Sequence, residues 1–257
     1  MQVLILADVH GNEPALTAVL DAVPDVDAVF CLGDIVHFGP DPAGCVDLIR
    51  ARADQVVRGN HDEEVVRLFR AAPSASPPVT DSAKWSHWTA AQLSEDQVDY
   101  LAGLPEEIQL EMDGRRVLLR HDLPLPGPLI MPDAPESLIA SRLDARPFDV
   151  MFVGHVHMPY QRALGDRELV DVGSIGQPED ADGAASYGLW QDGIITFHKA
   201  AYDVEQTVAQ LRALPLSPPY VDMWGEFWRH GYVDRAALGA LETKTPNANG
   251  NGNTNAD

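Results

Sequence analysis

Val3-Leu4-Ile5-Leu6-Ala7-Asp8-Val9-His10 is an unbroken apolar run that stops abruptly at a carboxylate, with an imidazole two residues further on. Such a run, too short for a helix and rich in branched residues, marks a strand buried on both faces, the kind found in parallel sheets covered by helices. Working outward, Ala28 to Leu32 repeats the pattern and runs into Gly33-Asp34, and a shorter strand at Gln55 to Val57 precedes Gly59-Asn60-His61-Asp62. Between these strands, Leu16, Val19, Leu20 and Val23 recur at helical spacing, and Cys45, Val46, Leu48 and Ile49 form a second apolar stripe. The order is βαβαβ. Far along the chain, Val150 to Val153 runs straight into Gly154-His155-Val156-His157. In open α/β sheets ligands bind beyond the carboxyl ends of the strands, so these polar residues are placed to converge there.

The intervening sequence predicts the remaining elements. Ala72 to Asp81, with Pro73, Pro77 and Pro78, is a loop. Ser94-Glu95-Asp96-Gln97 has the form of a capping box before Val98, Leu101 and Leu104, within a helical insertion at about 82–104. Asp113-Gly114 between Ile108–Met112 and Arg115–Arg120 signals a hairpin, where a second sheet begins. A proline-rich loop, Pro124 to Pro135, leads to a helix near Glu136–Leu143. Arg162–Leu164, Leu169–Val172, Tyr187–Trp190 and Ile194–His198 read as antiparallel strands, and Asp203 to Leu214 as a helix. Tyr220, Met223, Trp224, Phe227 and Trp228 form an aromatic stripe that is expected to pack on the protein's own body; homo-oligomerisation stays open. The expected organisation is one domain over 1–242, including a C-terminal helical segment at about 203–242, and a polar, disordered tail over 243–257.

Composition narrows the partners. Thirty-nine acidic against 18 basic residues give a net charge of -21, which repels polyanions and disfavours nucleic acid and anionic membranes. Cys31 and Cys45 form neither a zinc knuckle nor a disulfide framework. The first apolar run is too short for a signal-peptide core and lacks a basic region before it, and no stretch is long enough to span a bilayer, so a cytoplasmic location is expected.

The strand-end residues define a chemistry. Two carboxylates (Asp8, Asp34), an amide oxygen (Asn60) and the imidazoles His10, His155 and His157 supply mixed oxygen and nitrogen ligation without sulfur, which suits Mn, Fe, Zn or Co. His155 and His157 share a face in a regular strand, whereas in a loop they can serve two metals. Two divalent ions held by only two carboxylates keep an excess of about +2, a centre that attracts a small anionic phosphoester. Any one of these short motifs alone is usually a turn; their ordered placement at four strand ends is the signal.

Asp8-Val9-His10, Gly33-Asp34, Gly59-Asn60-His61-Asp62, His121 and Gly154-His155-Val156-His157 together resemble the five ordered motifs of the calcineurin-like metallophosphoesterases. Gly39-Pro40-Asp41-Pro42, Trp88 to Leu93 and Gly173 to Pro178 resemble segments of a compact prokaryotic branch described as phosphodiesterases or diadenosine-tetraphosphatase-like proteins. The resemblance covers residues 1–201. It implies a four-layer α/β/β/α sandwich with two mixed sheets and a dinuclear site at one edge. It further implies that Asp8, His10 and His157 hold one metal, that Asn60, His121 and His155 hold the other, and that Asp34 bridges them. Manganese is the favoured ion, with Fe, Zn, Co or Ni as alternatives. In the implied mechanism a metal-bridging hydroxide attacks phosphorus while His61 assists the departing oxygen. Asp62 either orients His61 or caps the following helix.

The chain departs from the branch in places. Asp122 follows His121 where relatives carry glycine, and is expected to point outward or sit behind the ligands, since an unpaired carboxylate there repels an anion. Glu179 stands where relatives often have arginine, which removes a phosphate clamp. His37, often aromatic in relatives, either lines the pocket or is a solvated loop residue. The favoured function is hydrolysis of small phosphodiesters or nucleotides. Against it stand a phosphomonoesterase or protein phosphatase, and a non-catalytic metal-binding scaffold.

Overall fold

In the computed structural model, which describes residues 1–72, 78–232 and 239, the opening apolar run forms β1 (Gln2–Leu6), with Val3 to Leu6 fully buried. Helix α1 (Glu13–Ala22) follows, its N-terminus capped by the Asn12 side chain on the Ala15 N–H. Next come β2 (Ala28–Cys31), α2 (Pro42–Arg52) with Asp41 as cap, and β3 (Gln55–Val56). All three strands are parallel, as the βαβαβ reading requires.

Three helices come next: α3 (Asn60–Arg70), α4 (Asp81–Gln92) and α5 (Glu95–Gly103). The predicted capping box is present at Ser94, which accepts from the Gln97 N–H at 3.2 Å. The hairpin β4 (Glu107–Met112) and β5 (Arg115–Arg120) starts the second sheet, and α6 (Glu136–Arg142) leads to β6 (Val150–Val153). Then β7 (Pro159–Leu164), β8 (Arg167–Val172), β9 (Ala185–Gln191), β10 (Ile194–Ala200), α7 (Val204–Leu211) and α8 (Pro218–His230) complete the described chain. Residues 73–77 of the predicted loop, the end of the 203–242 segment and the 243–257 tail lie outside the described residues.

The strand orders are β10-β9-β1-β2-β3 and β4-β5-β6-β8-β7, so both sheets are mixed. Val3, Ile5, Phe30 and Leu32 of the first sheet pack against Val117, Leu119, Phe152 and Val170 of the second, forming the dry layer between the sheets. The opposite face of the first sheet is covered by α1 and α2 through Leu16, Val19, Val46 and Ile49, and that of the second by α6 through Ile139. Helices therefore flank two facing sheets.

Two features differ from the local reading. β8 runs parallel to β6, and β9 leaves the second sheet to pair antiparallel with β1. The polarity of a hairpin is set by its turn, whereas the sheet that it joins is set by which apolar face it can cover. The aromatic stripe of α8 does pack on the body: Tyr220, Trp224 and Trp228 meet Trp85 of α4 and Val208 and Leu211 of α7. Each such ring removes about 150–250 Å² from water, enough to hold α4 and α8 together over the site.

Candidate metal centre

Backbone strain marks the site before any side chain does. Asp8, His10, Asp34, His37, Phe38, His155 and His157 all have positive φ, between 48° and 80°, in the left-handed region that costs non-glycine residues energy. Turning left-handed at the strand end folds the chain back so that successive polar side chains face the same crevice. The turns are clasped together by Asp8 N–H to Gly33 O (3.1 Å), His10 N–H to Asp34 O (2.9 Å) and Gly11 N–H to Ile35 O (2.9 Å). Gly59 is required by close approach, because a Cβ there would lie 2.1 Å from Asp34 Oδ1.

Asp8 and Asp34 are both buried, and each has one oxygen anchored and one without a hydrogen-bond partner. Asp8 Oδ2 accepts from the His155 N–H at 2.9 Å, and Asp34 Oδ1 from the His61 N–H at 2.8 Å. The remaining oxygens point at imidazoles. His157 Nε2 lies 3.5 Å from Asp8 Oδ1 and 3.1 Å from His10 Nε2. His121 Nε2 lies 3.1 Å from Asp34 Oδ2, 3.0 Å from Asn60 Oδ1 and 3.2 Å from His155 Nδ1. Asp34 Oδ2 is also 3.9 Å from His10 Nε2, between the two groups.

These residues fit a pair of divalent cations. Buried carboxylate oxygens left without donors, facing imidazole nitrogens, are what a cation satisfies and what an apo core otherwise avoids. Asp8, His10 and His157 form one cluster, and Asp34, His121 and His155 another, with Asn60 at its edge. His121 Nδ1–H donates to Leu32 O at 2.9 Å, so Nε2 is the nitrogen that a metal takes in exchange for a proton.

The electrostatics agree. Burial alone lowers both His121 and His157, but Asp34 and Asp8 raise His121, and Asp8 with Glu179 raises His157, each to about 10. Protons thus take the place that cations would fill. His10, buried with neighbouring imidazoles, is pushed well below its ordinary value.

The other candidates resolve as follows. Asp62 does not orient His61. It is buried, with Oδ2 accepting from the Asp34 and Gly59 N–H groups (2.9 Å each) and Oδ1 from Ile35 (2.8 Å) and Val36 (3.3 Å). Burial and nearby Asp34 push its carboxyl up to about 6. Asp62, at N3 of α3, therefore caps the helix by accepting from the Gly59 N–H and ties the two motif loops together. Asp122 is half-exposed and lines the same hollow as Asn60, His121 and His155 rather than sitting behind the ligands, and Arg142 at 2.8 Å compensates its charge. Arg142 is itself buried and also donates to the Leu125 and Pro128 carbonyls, an anchor absent from any local motif. Glu179 lies beside the site, with Oε1 3.5 Å from His157 Nδ1, a charge contact without hydrogen-bond geometry. His37 is buried, not solvated. The only sequence signal for Glu179 and His37 was their departure from the branch pattern.

The fold and this donor set define a metallophosphoesterase. Residues 1–191 match the calcineurin-like phosphoesterase superfamily domain, and the chain belongs to that superfamily. It is similar to the crystal structure of a metallophosphoesterase from Sphaerobacter thermophilus, 31% identical over 86% of this chain and 97% of that one, TM-score 0.76. An uncharacterized protein of Methanocaldococcus jannaschii is 28% identical over 81% of this chain and 91% of its own length. A symmetrical bis(5'-nucleosyl)-tetraphosphatase from Erwinia tasmaniensis is 31% identical across 74 residues, 27% of each chain. Among the described residues no helix is long and apolar enough to cross a membrane.

Proposed function

We propose that the protein hydrolyses small phosphodiesters, nucleotides among them, with two divalent ions, manganese favoured, held by Asp8, His10, Asp34, Asn60, His121, His155 and His157. The observation that carries this reading is the pair of neighbouring clusters, Asp8/His10/His157 and Asp34/His121/His155, with Asp34 Oδ2 of one lying 3.9 Å from His10 Nε2 of the other. When bound, such ions supply a water-derived nucleophile and offset the charge that builds on phosphorus.

The chain's own residues do the rest. His61 stands at the rim, with its ring 5.3 Å from that of His10, and delivers a proton to the departing oxygen. A hollow lined by Asn60, His121, Asp122 and His155 opens through Arg58 and Glu63 into a cleft of about 540 Å³ that also carries Arg67 and Arg70. A cleft of that size takes a ligand of nucleoside dimensions. The second arm of a diester fits there, beside Arg67 and beside Arg58 and Arg70, which Glu106 and Asp99 already pair. This favours a diester over a monoester, and the local likeness to a tetraphosphatase points the same way.

The test is hydrolysis of bis-p-nitrophenyl phosphate beside p-nitrophenyl phosphate, with manganese and after metal stripping. The proposal expects metal-dependent turnover that prefers the diester. A monoester preference would replace it with a phosphatase, and no turnover on either despite two bound metals would replace it with a scaffold.

A further inference from the structure

We infer that His37 is a positioning residue for His61: a buried chain from Ser86 on α4 through His37 fixes which nitrogen of His61 carries a proton and leaves the other for the substrate. The inference builds on the reading of His61 given above. His37 Nδ1 lies 2.8 Å from His61 Nδ1, and His37 Nε2 lies 2.8 Å from Ser86 Oγ. Ser86 Oγ also donates to the Ser82 carbonyl, one turn back, at 3.2 Å. A hydroxyl has one hydrogen. With that hydrogen on Ser82 O, Ser86 Oγ accepts from His37 Nε2–H, so His37 presents a bare Nδ1. His61 must then donate from its own Nδ1. Glu64 Oε2, 3.6 Å from the same His61 nitrogen, favours a proton there as well. Nε2, on the opposite edge of the ring, is the atom left to face a leaving group, and it delivers a proton when the ring is the imidazolium, with Nδ1–H still held by His37.

The linker is held rigidly. His37 is only 1% exposed and Ser86 5%, and His37 has φ 80° with Phe38 at 56°. Phe38 stacks on His37 with centroids 3.8 Å apart, and its ring is in turn clamped by Trp85 and Trp224. Two adjacent non-glycine residues in left-handed conformation persist only where the surroundings over-determine them. The aromatic stripe of α8 and the helical insertion thus have a shared consequence: they seat the histidine behind His61.

His37, His61 and Glu64 also have the mutual spacing of a metal site. The distances decide against that. Two zinc–nitrogen bonds of about 2.0–2.1 Å at a tetrahedral angle hold the nitrogens about 3.3 Å apart. The observed 2.8 Å is shorter than that span and is a hydrogen bond.

The arrangement follows the general logic of a catalytic group oriented by a third residue. Its test uses histidine-labelled ¹⁵N NMR on the metal-stripped and zinc-loaded protein, together with kinetics on manganese-loaded enzyme and aryl phosphodiesters of graded leaving-group basicity. The expected spectrum shows His61 protonated at Nδ1 and His37 protonated at Nε2 only, with the His61 preference lost in His37→Phe. His37→Phe is expected to lower kcat about 10- to 100-fold on poor leaving groups, to change good ones little, and to leave KM unchanged. His37→Gln, whose amide oxygen can accept from Nδ1–H, is expected to recover part of the loss. In a His61→Ala background the His37 change should cost nothing more. A His61 bare at Nδ1 in the parent protein would overturn the inference, as would equal losses across all leaving groups or losses that multiply with those of His61→Ala. The spectrum reads the hydrogen-bonded chain even if no diester is turned over, so failure of the proposed activity and failure of this inference are distinguishable.

Discussion

Asp62→Asn is the change whose effect the structure specifies most closely. The carboxylate spans four backbone donors, Asp34 and Gly59 on one oxygen, Ile35 and Val36 on the other. An asparagine of the same shape keeps one oxygen, and with it one pair of bonds. Its NH₂ group must then face two N–H groups that it cannot accept from. Each buried donor left without a partner costs about 1–3 kcal/mol, so the expected destabilisation is about 2–6 kcal/mol. That is a large share of the roughly 5–15 kcal/mol that holds a typical domain together. Urea unfolding of the metal-stripped protein, followed by circular dichroism and extrapolated linearly, reads it directly. Because Asp62 also fixes the loop that carries Asp34, weaker metal retention should accompany the lost stability. A loss below about 1 kcal/mol, well under the unpartnered-donor range, combined with a fall in kcat alone would refute the reasoning and return Asp62 to the role of orienting His61.

Two further outcomes follow from the same geometry. Asp34→Asn should weaken both metal sites about 10- to 100-fold or more, measured as metal content after dialysis; two ions retained at unchanged affinity would remove Asp34 from the bridging position. Metal loading should release protons, because His121 and His157 titrate near 10 and must be neutral to ligate. Affinity should therefore rise with pH towards 10, and calorimetry in two buffers of different ionisation enthalpy at pH 7.5 should show about two protons released. In the metal-stripped protein these raised values contribute stability that is fully present below the ordinary imidazole value of 6.5 and lost as the pH climbs through about 10. A flat thermal midpoint over that range would contradict the pairing.

How much was legible before the structure depends on the range of the determining interaction. Strand β1, its parallel partners, the Ser94 capping box and the Asp113-Gly114 hairpin are each set by a few neighbouring residues, so periodicity and turn chemistry identified them. Most of the proposed ligand residues were legible because they sit at or just past the end of an apolar run, where a strand must end; His121 was named only through the family resemblance. The return of β9 to the first sheet was not, since the antiparallel pairing of Val3 with Trp190 joins residues far apart in the chain.

The sequence by itself determined the class of fold and pointed to the donors proposed for the centre, because strand-end placement converts local order into convergence in space. The tertiary structure decided what surrounds the donors: Asp122 against buried Arg142, Glu179 beside His157, Asp62 across two loops, and His37 between His61 and Ser86. A polar side chain has several possible partners at similar energy. Only the packing of distant elements, by desolvating that side chain and placing one partner within hydrogen-bonding distance, selects among them.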